Sequence, residues 1–241
     1  MSAYTQLSGV TQVYFVGVGP GDFELLTIRG RELIEEADLL IHYGSATSPE
    51  IIGLAKKDVM SSYGKSLDEI TETIAAYVKE GKTVVRVHSG DPALFGGMLE
   101  QTRALAELGI DVEVVPGVSS MFAAAALLKT QLTLPGVTQT VIITRPEEPL
   151  EELSKENATM VIFLGIEKIR EIMERVRYPP DTDVAIVYHA SWKDQKTIRG
   201  TVSDIAEKVE ATGIKHGAII IIGEAVNPRT IMRLGRGEPP L

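Results

Sequence analysis

The chain has 241 residues and carries 33 Asp and Glu against 24 Lys and Arg, a net charge of −9. That balance excludes a general phosphate-binding surface for nucleic acid, and the lack of cysteine excludes disulfides and thiolate metal sites. The four histidines, His42, His88, His189 and His216, have no metal-ligand spacing. No apolar run approaches the ~20 residues needed to span a bilayer, and the polar start MSAYTQLSGV does not read as a signal peptide, so no membrane partner and a cytoplasmic location are expected.

Short apolar, β-branched runs recur along the chain with amphipathic segments between them. Strands are expected at Val13–Val18, Leu39–Tyr43, Thr83–His88 and Val112–Val115, then at Thr140–Thr144, Met160–Leu164, Val184–Tyr188 and Ala218–Ile222. Runs of this kind suit strands buried on both faces of a helix-covered parallel sheet. A helix over Leu67–Glu80 opens on a Ser66-x-x-Glu69 capping box, presents Leu67, Ile70, Ile74 and Tyr77 on one face, and stops at Gly81. The spacing predicts further helices over Leu94–Leu108, Met121–Leu128 and Glu167–Arg177, with a short one possible in the acidic, proline-bearing loop Arg145–Ala158. Alternating strands and helices make the chain α/β. The break in composition near Pro116–Gly117 sets expected domains at 11–116 and 117–241.

Three glycine-bearing loops follow the first, third and fourth of these strands. In GVGPGD a third glycine of the dinucleotide fingerprint would fall at Asp22, where a carboxylate stands, and Pro20 removes a backbone N–H from any anion nest. The strand LLIHY also lacks the terminal acid that would hold a ribose, so dinucleotide binding is disfavoured; a plain tight turn remains open. In HSGDPALFGG, Gly90 permits close backbone approach to a ligand, and Asp91 can accept from a hydroxyl or ammonium group or simply cap a helix begun by Pro92. In VPGVSS, small residues lead into an Ala-rich helix, either as a ligand-facing turn or as an ordinary serine cap. The strand ends FLG and YHAS in the second half are not diagnostic alone, and Trp192 reads as loop packing.

Taken in order, GVGPGD, SGDPALFG, VPGVSS and the closing GAIIIIG strand resemble the tetrapyrrole methylases over Val13–Val226. The segments VRVHSGDP, LTLPGVTQTVIITR and YHASWKDQKTIRGT look most like the branch acting on C11 of precorrin-4 in vitamin B12 synthesis. Ser89, Phe95 and Gly44 depart conservatively from that branch. The resemblance implies two α/β domains with S-adenosylmethionine (SAM) in the cleft between them, a precorrin-type tetrapyrrole substrate and a homodimer. It carries cofactor contacts to Pro20, Ser89, Gly90, Asp91, Leu94, Ser119, Ser120, Leu164, Ala190 and Ala218. A polycarboxylate substrate on an acidic protein calls for a local positive rim, for which Arg29, Lys65, Arg86 and Arg145 are the candidates. No residue reads clearly as a general base; His88, beside the SGD loop, is a weak one. A methyl-transfer enzyme on a related tetrapyrrole, or a non-catalytic binding module, remains the alternative.

Overall fold

The computed structural model describes residues 12–155 and 157–227. The polar stretch Met1–Val10 and the last residues of the second expected domain lie outside them. The chain divides into two compact units, Met1–Ser119 and Ser120–Leu241.

In the first unit β1 (Val13–Gly17), β2 (Leu39–His42), β3 (Asp58–Ser61), β4 (Val84–His88) and β5 (Val112–Val115) form one parallel sheet in the order β3-β2-β4-β1-β5. Alternate residues of each strand face opposite sides. Val16, Leu40 and Val85 pack on Ile34 of α1 (Ile28–Glu36) and Ile51 of α2 (Pro49–Ile52). Phe15, Ile41 and Val84 pack on Ile70 and Ile74 of α3 (Leu67–Lys79) and Leu105 of α4 (Met98–Glu107). The capping box of α3 forms as expected, with Ser66 and Glu69 exchanging backbone bonds. Because β1 leads into α1 on one face and its neighbour β4 into α4 on the other, their carboxyl ends flank the switch point where open α/β sheets bind ligands.

Two expectations change here. The helix predicted from Leu94 starts at Met98: Phe95 and Gly97 have left-handed φ of 54° and 62°, which breaks the helical path before it. Leu99, on the expected helix, is 56 % exposed. Strand β3 was not expected, because it is a short edge strand whose residues Asp58, Val59 and Ser61 are exposed.

In the second unit β6 (Val141–Thr144), β7 (Thr159–Ile162), β8 (Asp183–Tyr188), β9 (Lys196–Thr201) and β10 (Ala218–Ile222) make a sheet in the order β6-β7-β10-β8-β9. Only β6 and β7 are parallel, which corrects the expectation of a parallel sheet. The central strands are buried on both faces whatever their direction, so their apolar runs carry no sign of it. Met160, Ile162, Val184, Ile186 and Ile220 pack with Ile172 of α7 (Ile169–Arg175) and Ile205 and Val209 of α8 (Ile205–Glu210). The Ala-rich α5 (Ser120–Leu128) lies against β10, and α6 (Leu150–Leu153) is the short helix of the acidic loop. Among the described residues no helix is long and apolar enough to cross a membrane.

Candidate active site

The three loops of the first unit meet at the switch point. Beyond β1 and β4 the backbone pairing continues as an antiparallel bridge, with Gly90 N donating to Gly19 O at 2.7 Å and Gly19 N to Gly90 O at 3.2 Å. The turn after β5 closes on both. A Cβ on Gly17 would lie 2.6 Å from Gly117 N, and one on Gly117 would lie 2.3 Å from Gly90 O. Asp91 ties the assembly: Oδ2 accepts from Gly117 N at 2.9 Å and Oδ1 from Ala93 N at 2.8 Å. The helix-cap reading of the sequence therefore needs adjusting, since Asp91 caps a tight turn and braces a neighbouring loop, and does not begin a helix. Pro20 and Gly90 are buried while Ser89 is exposed.

Beneath this knot two polar side chains face the α3–α4 side of β4. Arg86 is 5 % exposed, and Nε donates to Gln101 Oε1 at 3.2 Å, but Nη1 has no partner and no carboxylate lies within ion-pair distance among the described residues. Burial brings its guanidinium pKa down to about 10. His88, two residues on, is 6 % exposed; Nδ1 bonds to Gly96 O at 3.1 Å, and Nε2 is buried without a partner. The short contact leaves no room for a side chain at Gly96, whose Cβ would lie 2.9 Å from Pro92 O and 3.1 Å from that same Nδ1. Desolvation first, then the Arg86 charge, depresses the His88 pKa from 6.5 to about 4. A ring neutral down to that pH is a hydrogen-bonding group more than a proton acceptor. Since the folded pKa is below the unfolded one, the stabilisation is complete above pH 6.5 and is lost as pH falls toward 4, a span worth about 3 kcal/mol. Urea titrations of wild type and His88→Gln at pH 7.5 and 4.5 should show a steeper acid loss for wild type; equal losses would contradict the assignment.

Arg29, on α1, is exposed and pairs with Glu113. Lys65 is exposed in the β3–α3 loop, and Arg145, after β6, pairs with Glu147 at 3.6 Å. Surface pairs of this kind contribute little to stability. Three aromatic side chains that sequence reasoning did not assign to the substrate side stand at the carboxyl ends of the first sheet. Tyr43 and Tyr63 meet edge-on with centroids 6.0 Å apart, and Phe95 is 42 % exposed. Tyr43 and Phe95 follow expected strands, a signal that could have found them, but Tyr63 follows the unpredicted β3.

In the second unit the strand register gathers the expected contacts at one end of the sheet. Ile162 lies opposite Ile220 and Tyr188 opposite Ala218, which brings Leu164, Ala190 and Ala218 to the same edge. Ala190 and Ala218 are buried, while Leu164 is 71 % exposed at a left-handed φ of 54°. Four of the five non-glycine residues with left-handed φ among those described, Phe95, Leu164, His189 and Ser191, fall in the loops after β4, β7 and β8. Such conformations cost of order 1–3 kcal/mol each and mark places where shape is held against strain. Ser119 is buried and ends the first unit; Ser120 opens α5. Among the described residues no cluster of His, Asp and Glu has the makings of a metal site.

Comparison with known proteins agrees with this arrangement. The profile of the tetrapyrrole (corrin/porphyrin) methylases matches residues 12–206. A cobalt-precorrin-4 C(11)-methyltransferase of Methanocaldococcus jannaschii is 48 % identical over 231 residues, covering 90 % of this chain and 89 % of that one. The crystal structure of a cobalt precorrin-4 methyltransferase of cobalamin biosynthesis superposes with a TM-score of 0.87 at 39 % identity, covering 90 % of this chain and 96 % of that one. A uroporphyrin-III C-methyltransferase from Thermus thermophilus, solved with S-adenosylhomocysteine, gives 0.77 at 26 % identity, covering 89 % and 98 %.

Proposed function

The chain belongs to the tetrapyrrole methylases, and from that premise we propose that it methylates C11 of cobalt-precorrin-4, or of the metal-free precorrin-4, in cobalamin biosynthesis. One observation carries the choice of carbon: identity is 48 % to the cobalt-precorrin-4 C(11)-methyltransferase of Methanocaldococcus jannaschii and 36 % to the uroporphyrinogen-III C-methyltransferase of the same organism, each over 90 % of the chain.

SAM supplies an electrophilic methyl group on a positively charged sulfur, so the protein's task is to place a nucleophilic carbon in line with it. Each unit offers groups suited to such a ligand. From the first unit, Pro20, Ser89, Gly90 and Leu94 offer small surfaces and backbone groups, and Asp91, with one bond to each oxygen, keeps lone pairs for a hydroxyl or ammonium group. From the second, Ser120, Ala190 and Ala218 leave room for a flat base, and the outward Leu164 gives an apolar wall. Ser119 supports the loop from its buried position. Arg86, with an unpartnered Nη1, is assigned to a carboxylate of the substrate, since a buried guanidinium without a counter-charge is stabilised when an anion arrives, and His88, whose Nδ1 donates to Gly96 O, is assigned to accept at Nε2 from a substrate N–H or O–H group. Tyr43, Tyr63 and Phe95 offer flat apolar faces to the macrocycle. Arg29, Lys65 and Arg145 are assigned to outer electrostatic attraction. We take the enzyme to be a cytoplasmic homodimer, for which sedimentation of the purified chain is the check.

The reading is tested by incubating the protein with SAM and, separately, cobalt-precorrin-4, precorrin-4 and uroporphyrinogen III. Methyl transfer to the precorrin-4 skeleton, with little to uroporphyrinogen III, is expected. Transfer to uroporphyrinogen III alone would move the chain to another branch, and binding without transfer would make it a non-catalytic module.

A further inference from the structure

The loop after β8 contains a histidine whose geometry is over-determined. His189 sits at a left-handed φ of 46° and stacks on Tyr188 with ring centroids 3.8 Å apart and planes 16° from parallel. Trp192 closes from another side at 5.0 Å. Both oxygens of Asp194 reach Nδ1, at 3.0 and 3.1 Å. The opposite ring edge lies against the backbone of Gly217, where a Cβ would come within 2.7 Å of Cδ2 and Nε2. The backbone is also pinned, as His189 N donates to Gly217 O at 2.9 Å. The Asp194 carboxyl is held below its usual pKa range by the His189 hydrogen bond, and the Tyr188 phenol also bonds to it.

An ionised carboxylate at Nδ1 requires the proton to be there, which leaves the lone pair on Nε2. Nε2 bonds to no described residue and is not among the buried unpartnered atoms. A purely structural histidine would have no need of an unpartnered lone pair that is not fully buried, a fixed tautomer and a strained backbone together. The residue that follows, Ala190, is one of the contacts assigned to the methyl donor. We propose that His189 is the base that takes the proton lost by the macrocycle, with Asp194 as the positioning residue that fixes its tautomer and stabilises the imidazolium as it forms.

The step balances. The carbon–methyl bond forms as the methyl–sulfur bond breaks and its electron pair stays on sulfur. The macrocycle, left with one positive charge, becomes neutral by giving one proton to Nε2, from a ring N–H in the metal-free substrate or from a C–H next to the cationic ring where cobalt occupies the nitrogens, and solvent later removes it. This rests on the methyltransferase reading above. The charged and titratable groups facing the ring are Asp194 and the Tyr188 phenol, with Lys196 beside the carboxylate and Lys215 and His216 preceding Gly217.

Asparagine is the discriminating substitution. It tolerates left-handed φ and its side-chain N–H₂ can replace the Nδ1 donor, but it has nothing in place of Nε2. His189→Asn should bind SAM within two-fold of wild type and melt at a similar temperature, yet lose about 100-fold or more in kcat, the usual scale for a general base. The rise of wild-type kcat/KM with pH should flatten in the variant, and added imidazole should restore part of the rate to His189→Gly. More than half of wild-type kcat in His189→Asn would overturn the assignment. A second readout needs neither a variant nor turnover: ¹⁵N NMR of the wild-type ring at pH 8 should show the Nδ1–H tautomer, and an Nε2–H tautomer would also overturn it. Failure of wild type to methylate any of the tetrapyrroles would count against the functional reading, leaving the tautomer measurement to decide the inference.

Discussion

Gly117→Ala will lower the stability of the protein by about 2–3 kcal/mol, read as a shift of the urea midpoint, and will weaken SAM binding at least ten-fold. The added methyl would lie 2.3 Å from Gly90 O and 2.7 Å from both C and O of Gly17. Every one of these neighbours is backbone, so no side chain can rotate away. The turn after β5 must move off the β1 and β4 loops, and the bond from Gly117 N to Asp91 goes with it. The effect is steric, because Gly117 is not among the glycines with left-handed φ. Gly109→Ala is the matching control: its φ of 73° disfavours alanine but nothing lies within 4 Å, so it should cost only about 1 kcal/mol and leave SAM affinity unchanged. Equal effects of the two substitutions would show that the loops are not interlocked as described.

Removing the buried charge under those loops should separate stability from function. Arg86→Met should reduce affinity for the precorrin substrate by roughly 10–100-fold without changing SAM affinity, as expected when one charge-assisted bond to a carboxylate is lost. The single variant strands Gln101 Oε1, which now accepts from Arg86, so its stability is not a clean measure. In Arg86→Met/Gln101→Leu that penalty is gone. Depression of the Arg86 pKa from 12.5 to about 10 corresponds to roughly 3 kcal/mol of unfavourable burial at neutral pH, and the double variant should recover about 1–3 kcal/mol of it. The sign is the informative part. A fold that gains stability while substrate binding falls identifies a group kept for its ligand. A less stable double variant with normal substrate affinity would make Arg86 a structural residue.

Much of this was legible in the sequence, for reasons that differ from one element to the next. Central strands such as β1, β4, β7 and β10 are buried on both faces, and their unbroken runs of Val and Ile stand out. Edge strands β3 and β9 are largely exposed, so DVMS and KTIRGT carry no such run and were missed. Strand direction was unreadable in the second unit because burial on two faces looks the same in parallel and antiparallel sheets. The three glycine loops could be placed at strand ends from their residues, but not their mutual contact, which depends on β1 lying between β4 and β5. Arg86 and His88 were legible only as a cation and a weak base, since nothing in VVRVHSG says that both are buried and each keeps an unpartnered nitrogen. His189 and Asp194 are five residues apart, and only the turn through Ser191, with its φ of 74°, folds them together.

On the proposed function, these loops direct a sulfonium methyl group to one carbon of a corrin precursor. Incubation with SAM carrying ¹³C in its methyl group, followed by NMR of the tetrapyrrole product, tests it most directly. The account predicts a single enriched methyl on C11 of the precorrin-4 skeleton. Enrichment at any other ring carbon, or none at all, would contradict it.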